Sequence, residues 1–143
     1  MKQLLYLLLA VLASCSFPKD SKDSLEEARR HGLKVGIVHN PPFTVYENNK
    51  ASGIEVNLIE KFAKKEGLTV QYRYGSESTL IKELEDYKLH LIIGGFEKKT
   101  VWKNKAGLTT RYNDKNVLLI AKGENDLLYR LETILLNHKE NGS

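Results

Sequence analysis

The chain has 143 residues, with 41% hydrophobic and 28% charged side chains, a formal charge of +4 and one cysteine. That length suits one domain with a real hydrophobic core, and a lone cysteine excludes an intramolecular disulfide. Basic and acidic residues are interspersed, with no aromatic-studded basic stripe, which argues against nucleic acid as a partner.

The first residues read as an export signal. Lys2 supplies the positive end, and Leu4 to Leu12 (LLYLLLAVL) is an apolar run of nine residues. That falls well short of the roughly 20 needed to span a bilayer. Leu12-Ala13-Ser14-Cys15 follows and resembles the lipobox of bacterial lipoproteins. The resemblance implies a signal peptide over residues 1–14, a diacylglycerol on the Cys15 thiol, and a chain anchored by membrane lipid in the cell envelope, facing the periplasm or cell exterior. A free reactive thiol suits an oxidising compartment poorly, which agrees with a modified Cys15. Residues 15–24, ending in SFPKDSKDS, are polar and carry a proline, so they read as a flexible tether.

A short helix should follow, capped by Ser24 with Glu27 closing a capping box and Gly32 ending it. Leu33 to His39 alternates as a strand, and Asn40-Pro41-Pro42 must be a loop. Gly53 to Gly67 is the clearest helix, with Leu58, Ile59, Phe62 and Ala63 on one face. Leu68 to Tyr74 reads as a strand, Ser78 to Tyr87 as a helix through Leu80, Ile81 and Leu84. Leu89 to Gly95 and Asn116 to Ala121 are nearly continuous apolar runs, as in strands buried on both faces. Asp126 to His138 closes the pattern as an amphipathic helix, leaving residues 139–143 as a tail. Alternating strands and helices with short connections predict an α/β domain over residues 25–138. It should have three layers, a mainly parallel sheet flanked by helices.

Three stretches carry a further resemblance: Leu33-Lys34-Val35-Gly36-Ile37, then Pro41-Pro42-Phe43, then Gly53-Ile54-Glu55-Val56-Asn57-Leu58. With Leu80 to Leu84, Leu89 to Gly95 and residues 107–112 (GLTTRY) in the same order, they resemble lobe one of type II periplasmic solute-binding proteins of the polar-amino-acid ABC importer type. The resemblance implies a lobe-one fold. It also implies that the second lobe is absent, the chain being resealed across Gly123-Glu124-Asn125. The implied function is a non-catalytic, lipid-anchored solute-binding module accessory to an ABC-type transport system. Its partners would be a transporter permease, a second lobe, or a second copy forming a homodimer.

The family's ligand positions fall on altered residues. Its carboxylate-binding arginine, a group suited to that task by its bidentate fork, falls on Trp102, and the threonine of its G-x-T motif on Glu97. Two positions that usually stack aromatic rings on the ligand fall on Asn40 and Glu77, while Gly95 and Phe43 are kept. These six residues form the candidate ligand-binding set. Two carboxylates near one site would repel a solute carboxylate, which points to a small polar or cationic solute. His39, Asn40, Glu77 and Glu97 lack the tight spacing of a metal site, so no metal and no cofactor is expected, and solvated carboxylates are the favoured reading. Glu55 and Asn57 are expected to cap a helix start, and His90 to be structural. No G-x-S-x-G, glycine-rich phosphate loop or acid/base pair points to an enzyme. The alternative is a protein-interaction or sensory lobe without small-molecule binding. Trp102, amid Lys98, Lys99, Lys103 and Lys105, would be its anchor.

Overall fold

The computed structural model describes residues 20–142, so the expected signal peptide and Cys15 lie outside the described residues. In chain order the elements are α1 (Ser24–His31), β1 (Leu33–Ile37), β2 (Val45–Glu47), β3 (Lys50–Ser52) and α2 (Ile54–Glu66). There follow β4 (Val70–Tyr74), α3 (Glu77–Glu85), β5 (Leu91–Glu97), a 3-10 turn (Val101–Asn104), β6 (Gly107–Leu108), β7 (Asn116–Ile120) and α4 (Asn125–Asn141). Among the described residues no helix is long and apolar enough to cross a membrane.

The sheet runs β4-β1-β5-β7-β6. β1 lies parallel to β4 and β5, with Val35 opposite both Tyr72 and Leu91, while β7 runs antiparallel to β5 and β6. Successive strand residues face opposite ways, so each central strand feeds two cores. Leu91, Ile93, Leu118 and Ile120 pack with Leu25 of α1, Leu58, Ile59 and Phe62 of α2, and Leu127, Leu131 and Leu135 of α4. Ile92, Val117 and Leu119 pack with Leu80, Ile81 and Leu84 of α3. The three layers expected from the sequence are present, and the parallel trio β4-β1-β5 makes up one side of the sheet.

The strand directions give the molecule two ends. Ile37, Tyr74 and Glu97 close the parallel strands at a rim, where Asn116 opens β7 opposite Glu97. Ile120 sits opposite Leu91 at the base. At the base, two acidic side chains cap each other's helices. Asp20 accepts from the backbone N–H groups of Asn125 (2.9 Å) and Asp126 (3.1 Å) at the start of α4. Glu124, only 2% exposed, accepts from those of Lys22 (2.8 Å) and Ser24 (2.9 Å) at the start of α1. Negative charge on unsatisfied N–H groups is favourable at both places.

Several local expectations are corrected by this arrangement. Ser24 does not form a capping box with Glu27. Asp23 precedes α1 with φ 50° and no side-chain cap, and Glu27 turns instead to Lys34 Nζ (2.8 Å) and His90. Asp20 to Ser24 are docked rather than a free tether. The last helix runs through Asn141, so residues 139–141 are helical rather than tail. The β2–β3 hairpin was not anticipated, although Asn48 and Asn49 take φ 50° and 60° at its tip and Asn-rich tips favour such turns. His90 is structural as expected: its Nδ1 accepts from Lys34 N–H (2.9 Å) and its Nε2 faces Glu27.

Glu124→Ala should cost about 1–2 kcal/mol, because it leaves one buried and one part-buried N–H group without this acceptor. Urea denaturation measures this, and a loss no larger than that of an exposed glutamate such as Glu140→Ala would exclude the capping role.

Candidate functional site

Open α/β sheets bind ligands at the carboxyl ends of their parallel strands, so the rim is where a site would form. There the β5–β7 register is irregular between Ile92 and Phe96, and Gly95 takes φ 70°. The Gly94–Gly95 turn is held on every side. Asn40 Nδ2 donates to the Gly94 carbonyl (2.8 Å) and Asn116 Nδ2 to the Gly95 carbonyl (3.0 Å). The Gly94 N–H donates to Glu55 Oε2 (2.7 Å), and the Gly95 N–H lies 3.1 Å from both Glu55 oxygens. A third donor, the Tyr112 hydroxyl, reaches Glu55 Oε1 at 2.6 Å.

Asn40 and Phe43 belong to one tight loop, in which the Phe43 N–H donates to the Asn40 carbonyl (3.0 Å) and the Asn40 N–H to the Thr44 carbonyl (2.9 Å). The loop sets both side chains against Gly95. A methyl group added there would lie 2.5 Å from the Phe43 ring and 2.7 Å from Asn40 Nδ2. Asn40, Phe43 and Gly95 are thus brought together. Trp102 and Glu77 form a separate pair, the indole N–H donating to Glu77 Oε2 at 2.7 Å. Since Glu77 follows β4 and Trp102 follows β5, this bond passes across the end of β1 between them. Trp102 also packs, partly buried, against the α3-side core.

Glu97 is not part of the Glu77–Trp102 pair. It borders a pocket of about 350 Å³ with Lys98, Lys99, Arg111, Asp114 and Lys115. Four cations face two carboxylates there, so the local balance is positive. Glu77 thus has an N–H donor and Glu97 a surplus of neighbouring cations, so neither carboxylate stands alone at the rim. Among the described residues no group of three or more His, Cys, Asp or Glu side chains is placed to hold a metal. His39 is exposed and accepts from the Tyr46 N–H (3.1 Å).

Two features escaped the sequence reading. Tyr46 and Tyr74 stack at the rim, ring centroids 4.9 Å apart and 5° from parallel. Glu55, expected as a cap, is instead buried with no exposed surface. Burial pushes its carboxyl up, against the pull of the Tyr112 hydroxyl and the Gly95 and Gly94 amides toward the ionised form. Its burial was legible, since residues 55, 58, 59 and 62 fall on one helix face at three-, four- and seven-residue spacing.

The turn Gly123–Asn125 also needs a new reading. Ala121 N–H donates to the His90 carbonyl (3.1 Å), which puts that turn at the base. A second lobe entering there would stand at the end of the sheet away from Gly95. The connection that leaves the sheet beside Glu97 is the one between β6 and β7, carrying Arg111 to Lys115.

A three-layer lobe with its candidate site at the carboxyl ends of three parallel strands defines a solute-binding type of domain. The chain belongs to the bacterial extracellular solute-binding proteins, family 3, whose profile matches residues 33–142. Over 119 residues it is 28% identical to the probable histidine-binding protein of Campylobacter jejuni subsp. jejuni serotype O:2, covering 81% of this chain and 46% of that protein. The chain therefore spans about half the length of that curated relative. The arginine-bound form of domain 1 from TmArgBP, as its Phe57Trp mutant (that protein's own numbering), superposes with a TM-score of 0.73 at 24% identity. The match covers 81% of this chain and 98% of that one. An ancestral cyclohexadienyl dehydratase has the same fold, with a TM-score of 0.74 at 13% identity over 89% of this chain and 94% of its own.

Gly95→Ala should destabilise by about 2–3 kcal/mol, adding the contact with Phe43 to the left-handed backbone strain. Gly67, at φ 69° with open space around it, is the control: Gly67→Ala carries the strain alone, about 1 kcal/mol. Equal losses for the two in thermal denaturation would show that Phe43 and Asn40 do not press on Gly95.

Proposed function

We propose that this lobe binds a small amino-acid-like solute at its rim. The Gly94–Gly95 turn with Asn40 and Phe43 forms the floor, Trp102 and Glu77 a wall, and the pocket beside Glu97 receives an anionic group. The observation that carries this reading is that pocket's charge. The family-type arginine position is occupied by Trp102, yet Lys98, Lys99, Arg111 and Lys115 bring positive charge to the same end of the sheet by another route. Arg111 supplies the planar fork suited to a carboxylate. A single lobe is enough for such binding in at least one fold relative, since the structure of domain 1 from TmArgBP is an arginine-bound form.

A second reading, a lobe that docks another protein, is favoured by exposed apolar groups at the rim: Ile54 (40%), Tyr74 (49%) and Val101 (80%). Titration calorimetry with histidine, arginine, glutamine, glutamate and a polyamine separates the two. The solute reading expects an amino acid to bind with a Kd of about 0.1–1 mM, modest because one side of the ligand stays open to water, and Arg111→Ala to weaken it about tenfold. Binding of the polyamine alone, abolished by Glu97→Gln, would replace this reading with a cation site. Silence from all five would leave the docking reading.

We further propose that the module is a non-catalytic, lipid-anchored component of an ABC-type transport system. Its support is the family's extracellular solute-binding description together with the Leu12-Ala13-Ser14-Cys15 signal. A transporter permease, a second lobe or a second copy would then cover the rim. Cys15→Ala should yield exported protein that is uncleaved or released from membranes. Normal processing and continued membrane retention of that variant would reject the anchor.

A further inference from the structure

Glu55 has no role in the family resemblance beyond a helix start, yet it is the meeting point of three segments at the rim. It stands on the first turn of α2, takes both amides of the β5 turn, and takes the hydroxyl of Tyr112 from the connection that also carries Arg111 and Asp114. We propose that Glu55 is a positioning residue: its carboxylate fixes the Gly94–Gly95 turn and the Arg111-bearing connection relative to one another, and so sets the geometry of the solute site. The proposal rests on the reading of that turn as the floor of the site.

The ionised form is the one that fits. Each oxygen faces two donor contacts, Oε1 the Gly95 N–H and Tyr112 hydroxyl, Oε2 the Gly94 and Gly95 N–H groups. A neutral carboxyl turns one oxygen into a donor, which would then point its hydrogen at N–H groups that cannot accept it. Tyr112 stays a donor throughout, since burial and the Glu55 charge push its phenol up. Its ring lies 6.5 Å from that of His138 on α4, and Asp114 and Lys139 border the same pocket. Acidification should therefore loosen the turn while the layers around it remain packed.

Amide-resolved NMR on the full chain tests this without any solute. Between about pH 7.5 and pH 4 the Gly94 and Gly95 amide signals should move together, with a midpoint above the ordinary glutamate value of about 4.3. Tyr112→Phe removes a donor that favours the ionised form, so it should raise that midpoint. Glu55→Gln should abolish the titration and lower hydrogen-exchange protection at both amides about tenfold relative to the α2 amides. With arginine or histidine as probe, Glu55→Gln should also weaken binding about tenfold at neutral pH, and acidification of the wild type should weaken it with the same midpoint. Amides that do not titrate, or that titrate unchanged in Glu55→Gln, would overturn the proposal. If Glu55→Gln does not fold, an unmoved midpoint in Tyr112→Phe does so instead. Titrating amides with no solute binding would retain the latch and reject only the solute reading. Intact binding in Glu55→Gln would reject the positioning role itself.

Discussion

A carboxylate removed from water loses hydration worth several kcal/mol unless fixed donors replace it. Glu55 has no exposed surface, and its replacement donors are the very groups that shape the rim. Gly94 and Gly95 can turn their N–H groups inward only because the carboxylate is there to receive them. Gly95 can hold φ 70° against the Phe43 ring only because it has no Cβ. Asn40 and Asn116 then satisfy the outward carbonyls of the same turn. Helix start, strand irregularity and loop are one polar network, and a change at any member reaches the others. Such networks rigidify when complete and fail sharply when one partner is removed.

The base obeys a different logic. Two helix N-termini arrive there, and each is capped by an acid from the segment next to the other. Asp20 and Glu124 thereby tie the residues entering α1 to those entering α4, although the paired groups lie a hundred or more positions apart, 100 for Ser24 and Glu124 and 105 for Asp20 and Asn125. The base is tied by these caps, while Ile54, Tyr74 and Val101 stand exposed at the rim.

The layers were legible in the sequence because periodicity reports burial directly. Leu58, Ile59, Phe62 and Ala63 repeat at helix spacing and are all buried, and the apolar runs 89–95 and 116–121 supply most of β5 and all of β7, strands covered on both faces. The site was legible only in part. Asn40, Phe43 and Gly95 meet as their order along the family pattern suggested. Glu77 and Glu97 were expected to act together, but Trp102 captures one and a cationic pocket surrounds the other. That pocket arises because antiparallel pairing of β5 with β7 sets Glu97 opposite Asn116, which brings Lys98 and Lys99 to Arg111 and Lys115. Pairing between distant strands leaves no local trace. The Glu55 burial did leave one, but a helix-start acid reads as a cap unless its face is compared with the apolar stripe.

The open rim also limits what its charges can do. Surface lysines facing water attract an anion weakly, since the effective dielectric is high and salt screens beyond about 8 Å at physiological ionic strength. Moving the same charges under a covering surface lowers the dielectric and multiplies their pull. The exposed side chains of Ile54, Tyr74 and Val101 stand at the end of the sheet where such a surface would rest. If the rim binds a solute as proposed, solute capture and partner docking would therefore not be independent there. A partner seated on those apolar groups would dry the pocket beside Glu97 and strengthen a solute carboxylate's hold on Arg111. By linkage, a bound solute would strengthen the partner's hold by the same factor. On that proposal a lone lobe that binds weakly and a covered lobe that binds well would be two states of one electrostatic site, separated by the water that stands over it.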